Sequence, residues 1–241
     1  MDHLLSSPEE KYIEHIKKVG EQFNIIYPLF ESALSRVLSL KEDLVLKDAL
    51  NKMIIFHDIG KLTKRWQDRV GKNEKLPAHA PIGAAYLYKI LPKELKEPVS
   101  FAVAIHHSDK GLLGDNIEKP DAQAINDLII DYSTNKIIWD KRVEKLDDKY
   151  FPDEIKNLDI VDLKDMARGL RVWSRGCNLI EQHTRRMQMS LVHHILKLCD
   201  ISAASERKEF RKEPDNPFGG WLMSIKITRY VKRIKARIKD G

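Results

Sequence analysis

A chain of 241 residues, 42% hydrophobic and 32% charged, is long enough to bury a substantial core and suits a soluble globular protein of one large or two small domains. Its formal charge of +6 and sequence pI of about 9.1 admit a polyanionic partner without demanding one. Two cysteines, Cys177 and Cys199, exclude a disulfide framework and a thiolate metal site, so a reducing cytoplasm is the expected compartment. The start MDHLLSSPEEK lacks signal-peptide architecture, and no apolar run reaches membrane-spanning length, so no membrane association is expected.

Ser7-Pro8-Glu9-Glu10 reads as a helix start, with Ser7 as cap, Pro8 in the first turn and Glu10 closing a capping box. Tyr12, Ile16, Val19 and Phe23 then form an apolar face, and His15 lies beside it, one turn from Tyr12 and Val19. A second helical pattern covers Leu29 to Leu40. The third runs from about Asp43, with Leu46, Leu50, Met53 and His57 on one stripe, and is expected to stop at Gly60. Leu62 to Val70 reads as a short basic helix, residues 71–77 as a loop, and Ala78 to Leu91 as a helix with His79 near its start. The apolar run Val99 to Ile105 leads directly into His106-His107. Residues 108–120 read as a loop, 121–138 as helix, and 140–165 as a charged surface connection with short helical pieces. A long helical region spans about Asp162 to Arg207 with a break near Gly176, and its apolar stretch Leu191–Cys199 ends in Asp200. Glu213–Gly220 reads as a turn-rich linker. Beyond Trp221 a basic amphipathic helix places Ile227, Val231, Ile234 and Ile238 on one face. With little strand patterning and no repeat, the chain reads as all-α and as one domain over 1–241. Its core covers about 8–207, and the C-terminal helix is peripheral.

The pentapeptide His57-Asp58-Ile59-Gly60-Lys61 follows the apolar run Met53–Phe56, which delivers an imidazole and a carboxylate to the end of a buried helix. A carboxylate there is costly without a cation, and a divalent metal held by histidine nitrogen and aspartate oxygen is the simplest one. The further candidates are His15, His79, the pair His106-His107, and Asp200, each on or at the end of a predicted helix. Helices of a bundle can aim such side chains into one interior. The seven ligands exceed what one tetrahedral ion needs and fit two metals bridged by Asp58. One site would use His15, His57, Asp58 and Asp200, the other Asp58, His79, His106 and His107. Two metals about 3.5–4 Å apart suit displacement at phosphorus, one acidifying a water and the other polarising a phosphoryl oxygen. Asp58, His57 and Lys61 are the catalytic candidates; Lys61 either orients a phosphate, supports Asp58, or is a solvated lysine past a helix end. The competing readings are a buried ion pair at His57-Asp58, a solvated terminus at His106-His107, and a core histidine at His15.

In order, Tyr12-Ile-Glu-His15, His57-Asp58-Ile-Gly-Lys61, His79, His106-His107-Ser108 and Leu198-Cys199-Asp200-Ile-Ser-Ala-Ala resemble the motifs of the HD phosphohydrolase superfamily. The double histidine resembles more narrowly the HD nuclease of type I CRISPR interference, in the form that stands alone without its helicase. This resemblance spans roughly residues 10–205. It implies an HD-domain helical bundle with a metal site between helices and metal-dependent cleavage of single-stranded DNA, with RNA left open. It also implies divalent cofactors (magnesium, manganese, nickel, cobalt or iron) and two partners, a separate helicase subunit and an RNA-guided surveillance complex. The chain has no Walker-type loop, so the helicase must be another chain. Where the family often has serine four residues after the last aspartate, this chain has Ala204, and the spacing from Asp58 to His79 is short. Nucleic-acid contacts are sought at Arg171, Trp173 and Arg175, with Arg168, Arg185 and Arg186 along the same groove, and at Lys232 and Arg233 of the tail; a solvated arginine face with Trp173 in the core is the alternative. A phosphohydrolase acting on small nucleotides is the alternative function, and a non-catalytic nucleic-acid-binding subunit the third reading.

Overall fold

The structure, a computed structural model, describes residues 3–39, 43–107 and 118–205, together with Arg229, Tyr230, Arg233 and Ala236. The expected linker Glu213–Gly220, Lys232 and the apolar face of the tail lie outside the described residues, as does most of the 108–120 loop.

The chain opens with a small hairpin. Strands β1 (Leu5–Ser7) and β2 (Glu10–Lys11) pair antiparallel around Pro8-Glu9, with Ser7 opposite Glu10. The expected capping box is therefore not formed. Glu10 lies in a strand, with its side chain buried, and helix α1 begins at Tyr12. The two helical patterns expected before Leu40 are one helix, α1 (Tyr12–Leu38), which carries Pro28 inside it. Ile26 and Tyr27 join the two apolar faces into one continuous stripe, and packing of that stripe outweighs the hydrogen bond lost at the proline.

Helix α2 (Asp43–Phe56) buries Leu46, Leu50 and Met53 fully, but it ends at Phe56 and not at Gly60. His57 and Asp58 form the turn that follows, and a 3-10 turn over Ile59–Leu62 leads to α3 (Lys64–Arg69). Helices α4 (Ala80–Ile90) and α5 (Lys93–Ala104) pack against each other, and α6 (Pro120–Asn126) follows. The helix expected over 121–138 stops at Asn126. Turn chemistry wins there: Ser133 donates from its backbone N and its hydroxyl to Asp131 Oδ1, Asn135 adopts φ 59°, and Ile130 bridges to Ile137. The charge-dense connection after it contains 3-10 turns at Lys141–Lys145 and Asp153–Asn157.

Helix α7 (Ile160–Arg175) starts two residues earlier than expected because Asp159 and Asp162 form a capping box. It breaks at Gly176 (φ 62°), and α8 (Leu179–Ala204) starts from Asn178, whose side chain accepts from the Glu181 N–H. Helix α8 packs along α1 on one side and against α5 on another. The result is an all-α bundle whose ligand-bearing segments converge. Among the described residues no helix is long and apolar enough to cross a membrane.

Candidate metal centre and adjoining cleft

Two close backbone approaches set the position of Asp58. A Cβ on Gly60 would lie 2.3 Å from His79 O, and one on Gly83 would lie 2.5 Å from Phe56 O and 2.7 Å from His57 O. Glycine at both positions lets the start of α4 lie flat on the 57–62 turn, and His79, the residue before α4, is thereby laid against Asp58. Gly60 serves this contact and not a helix stop.

Asp58 is 1% exposed, and its two oxygens face different partners. Oδ1 lies 3.1 Å from His79 Nε2, 3.4 Å from His106 Nε2 and 3.9 Å from His107 Nε2. Oδ2 lies 3.3 Å from His15 Nε2, 3.5 Å from His57 Nε2 and 2.7 Å from Lys61 Nζ. Asp200, in α8, brings Oδ1 to 3.3 Å from His15 Nε2. One ligand group is thus Asp58, His79, His106 and His107, and the other is His15, His57 and Asp200; within each, one ligand atom per residue lies within 4.8 Å of the rest. The seven residues singled out in the sequence are all brought together. Asp58 falls in the first group only, although the sequence reading placed it in both sets, and its Oδ2 faces His15 and His57 of the second.

The donor chemistry fits a divalent cation. His57 Nδ1 is 2.9 Å from Ile54 O and His106 Nδ1 is 2.5 Å from Val103 O. A carbonyl only accepts, so each Nδ1 carries the proton and each Nε2 presents a lone pair toward Asp58. Lone pairs facing a carboxylate repel unless a cation or a proton lies between them. Burial lowers the pKa of His57 to about 4 and pushes those of His79 and His106 below the usual imidazole value, so a proton is not the answer at these three. The Nε2 atoms of His57, His79 and His106 are buried without a hydrogen bond. Ligands about 2.0–2.2 Å from one tetrahedral ion lie roughly 3.3–3.6 Å apart, and the five imidazole nitrogens stand 3.1 to 3.9 Å from the Asp58 oxygens.

His15 differs. Burial opposes its charge, but hydrogen bonds with Asp200, Asp58 and Glu10 outweigh that and raise its pKa to about 10. Burial likewise opposes the charges of Asp58 and Asp200. The Lys61 ammonium and His57 hold Asp58 well below the usual carboxylate range, and His15 does the same for Asp200.

Two residues around the centre escaped the sequence reading. Glu10 accepts from Lys18 Nζ at 2.8 Å and sits 3.2 Å from His15 Nδ1, behind the imidazole, where it fixes the ring. Gln67 joins the hairpin to the 57–62 turn, accepting from Leu5 N and donating to Leu5 O and Lys61 O. The acidic Glu9-Glu10 pair resembled a solvated helix start, and nothing in the sequence marks its inward turn. Lys197 of α8 donates to His106 O at 2.8 Å, which steadies the double histidine.

Beyond His79 and His107 the site opens into a cavity of about 370 Å³ between the hairpin, α3 and the segment entering α4. None of the arginines or the tryptophan sought for nucleic acid lines it. Arg171 donates to Glu118 O, and Arg175 and Arg233 are exposed. Trp173 is half-buried, with its ring 6.3 Å from that of Phe101 and the Arg185 guanidinium 5.7 Å from its centroid, so it packs within the bundle at least in part.

No protein-family model matches the chain, and no curated protein matches it in sequence. Among solved structures, the CRISPR-associated Cas3 HD domain protein from Methanocaldococcus jannaschii aligns with a TM-score of 0.58 at 19% identity, over 81% of this chain and 100% of that one. At that identity the likeness carries the architecture: the chain has the HD-domain helical bundle, with a candidate metal site between its helices.

Proposed function

We propose that this chain is a metal-dependent nuclease that hydrolyses phosphodiester bonds in single-stranded DNA during CRISPR interference, beside a helicase on a separate chain and an RNA-guided complex. The observation that carries the reading is Asp58, whose Oδ1 belongs to one ligand group and whose Oδ2 faces the imidazoles of the other. The fold shared with a protein described as a CRISPR-associated HD domain supports the setting.

His79, His106 and His107 would hold one divalent cation with Asp58 Oδ1, and His15, His57 and Asp200 would hold another with Oδ2. Bound there, divalent ions supply Lewis acidity for an attacking water and charge neutralisation at the phosphoryl oxygens. The residues supply orientation. The backbone carbonyls of Ile54 and Val103 fix the tautomers of His57 and His106, and Lys61 Nζ holds Asp58 Oδ2 at 2.7 Å. His107, 42% exposed at the side chain, lines the cleft and would be the ligand a phosphodiester meets first. A second reading, hydrolysis of small nucleotides, draws on the size of that cleft.

The test uses chelated protein re-supplied with single metals and labelled single-stranded DNA, with Asp58→Ala in parallel. Metal-restored cutting, reduced by at least ~10²–10³-fold in the variant while helicity is kept, is the expected result. Turnover at the level of metal-restored wild type by Asp58→Ala, with metal-free wild type equally active, would reject the mechanism. No cutting of DNA together with turnover in a nucleotide panel would move the function to the second reading.

A further inference from the structure

Helix α8 is longer than the bundle that holds it. Its first ten residues, Leu179 to Gln188, include none that is buried, and the buried series begins at Met189. Helix α7 likewise buries nothing beyond Leu170. The corner at Gly176 therefore projects, held mainly by its own bonds. Asn178 caps α8, Glu181 accepts from Cys177 N and pairs with Arg185, and Arg185 donates to Trp173 O. The apolar side chains of this corner are turned to solvent. Ile180 is 80% exposed, Leu179 67%, Met187 51% and Val172, in the last turn of α7, 66%. Ile180, Thr184, Met187 and Leu191 follow at intervals of four, three and four residues, the period of a coiled-coil seam, so they share one face. The seam runs inward onto the bundle, where Gln188 donates to Val37 O and His194 meets the Phe30 ring of α1. Large apolar groups in a row, left uncovered by the described residues at Ile180 and Met187, mark a surface that binds another protein segment.

The period of the seam fits a helix as the covering element, since knobs at such spacing pack into the holes of a facing helix. The charge around it fixes the sign of that helix. Glu181 is the one acid between Arg171 and Leu191, and it is engaged by Arg185 and the Cys177 N–H. Arg175 and Arg186 are exposed, with no carboxylate in ion-pair reach among the described residues. We propose that the projecting half of α8 is a docking face for an amphipathic helix of a partner protein, apolar at its own a and d positions and acidic beside them. That helix lies along Ile180, Thr184, Met187 and Leu191, and its acids meet Arg175 and Arg186. The face is apart from the metal centre: Asp200 lies 13 residues beyond Met187 on the same helix, about 20 Å along its axis. A docked partner therefore leaves the centre open, and the proposal is independent of the proposed hydrolysis.

The probe is a fluorescent heptad-repeat peptide with leucine at a and d and glutamate at e and g, compared with the same peptide carrying lysine at e and g. Anisotropy reads its binding to the full-length chain, as wild type, as Ile180→Ser/Met187→Ser and as Arg175→Gln/Arg186→Gln. All four side chains are exposed, so folding is not at stake, and circular dichroism checks it. The glutamate peptide is expected to bind saturably and at least ~10-fold more tightly than the lysine peptide. The apolar pair of changes should weaken it by about 10-fold or more, and the arginine pair by about 3–10-fold. No binding of the glutamate peptide, or equal binding of both peptides, overturns the proposal. A dimer in sedimentation that Ile180→Ser/Met187→Ser abolishes overturns it in favour of a second copy of the chain. Peptide binding that appears only with Val231→Glu/Ile234→Glu overturns it in favour of the chain's own C-terminal segment. Oligonucleotide binding lost in Arg175→Gln/Arg186→Gln, with no peptide bound by wild type, overturns it in favour of nucleic acid.

Discussion

The two ligand groups should fill with different pH dependence, and His15 is the reason. In the metal-free chain His15 holds a proton against Asp200, Asp58 and Glu10, with its pKa raised to about 10. A cation bound at His15 Nε2 must displace that proton. At pH 7 the displacement spans three pH units at 1.36 kcal/mol each, about 4 kcal/mol against binding. Affinity at the His15, His57 and Asp200 group therefore rises about tenfold per pH unit from 7 toward 10, and each ion releases one proton. His79 and His106, depressed by burial, are already neutral and demand no such release at the other group. Isothermal titration of chelated protein with Mn²⁺ at pH 6.5, 7.5 and 8.5, in two buffers of different ionisation enthalpy, reads both quantities. The expected result is two classes of site, one rising about 100-fold across that range with one proton released per ion. His15→Gln should abolish the rising class. Equal slopes in both classes, or a slope that survives His15→Gln, would refute the assignment.

Metal should also stabilise the fold, because it relieves lone-pair contacts at the centre of the bundle. At 100-fold excess over its dissociation constant, an ion binding only the folded state adds about 2.7 kcal/mol, or roughly 5–10 °C in Tm for a chain of this size, reversed by chelator in a thermal melt. Gly83→Ala pushes a methyl to 2.5 Å from Phe56 O, a backbone atom that cannot swing aside. A loss of about 2–3 kcal/mol by urea unfolding is expected, with weaker metal binding because His79 moves with α4. Gly20→Ala, where a Cβ meets nothing within 4 Å in the middle of α1, is the control and should gain about 0.5–1 kcal/mol. Trp173→Ala should cost about 1–2 kcal/mol, less than the roughly 3–5 of a fully buried aromatic, and leave oligonucleotide affinity in a filter assay unchanged.

What the sequence displayed was the chemistry carried by short runs. His57-Asp58 behind an apolar run and His106-His107 behind another are local patterns, and helical period alone places them at helix ends. His15, one turn from Tyr12, and Asp200, after the Leu191–Cys199 run, follow by the same argument. The residues that orient these ligands were hidden because their contacts are long-range. Glu10 turns inward only because Pro8-Glu9 closes a hairpin, and a capping-box pattern describes the same four residues equally well. Gln67 matters through Leu5, sixty-two positions away, which no spacing rule reaches. The helix expected over 121–138 failed for a different reason. Asp131 Oδ1 accepts from the Ser133 N–H and hydroxyl, and the Asn135 N–H donates to Asp131 O, a local turn that competes with the helix and that apolar periodicity does not register. The cleft was hidden in the same way, since Ser6, Ser7 and Trp66 are ordinary residues until the hairpin is laid over α3.

The division of Asp58 shows how adjacency in sequence becomes geometry. His57 and Asp58 are neighbours in the chain, yet His57 contributes to one ligand group while Asp58 Oδ1 looks into the other. A helix continuing through both residues would place their side chains about 100° apart and could not do this. The chain instead ends α2 at Phe56 and holds Asp58 at φ −103°, ψ 9°, between the helical and extended regions. Gly60 and Gly83 then admit α4 close enough to deliver His79 to the far oxygen. The irregular turn at 57–62 is thus the element that turns the two oxygens of one carboxylate toward different imidazoles. The helices around it, α1 with His15, α5 leading to His106 and α8 with Asp200, need only be straight and well packed to complete the set.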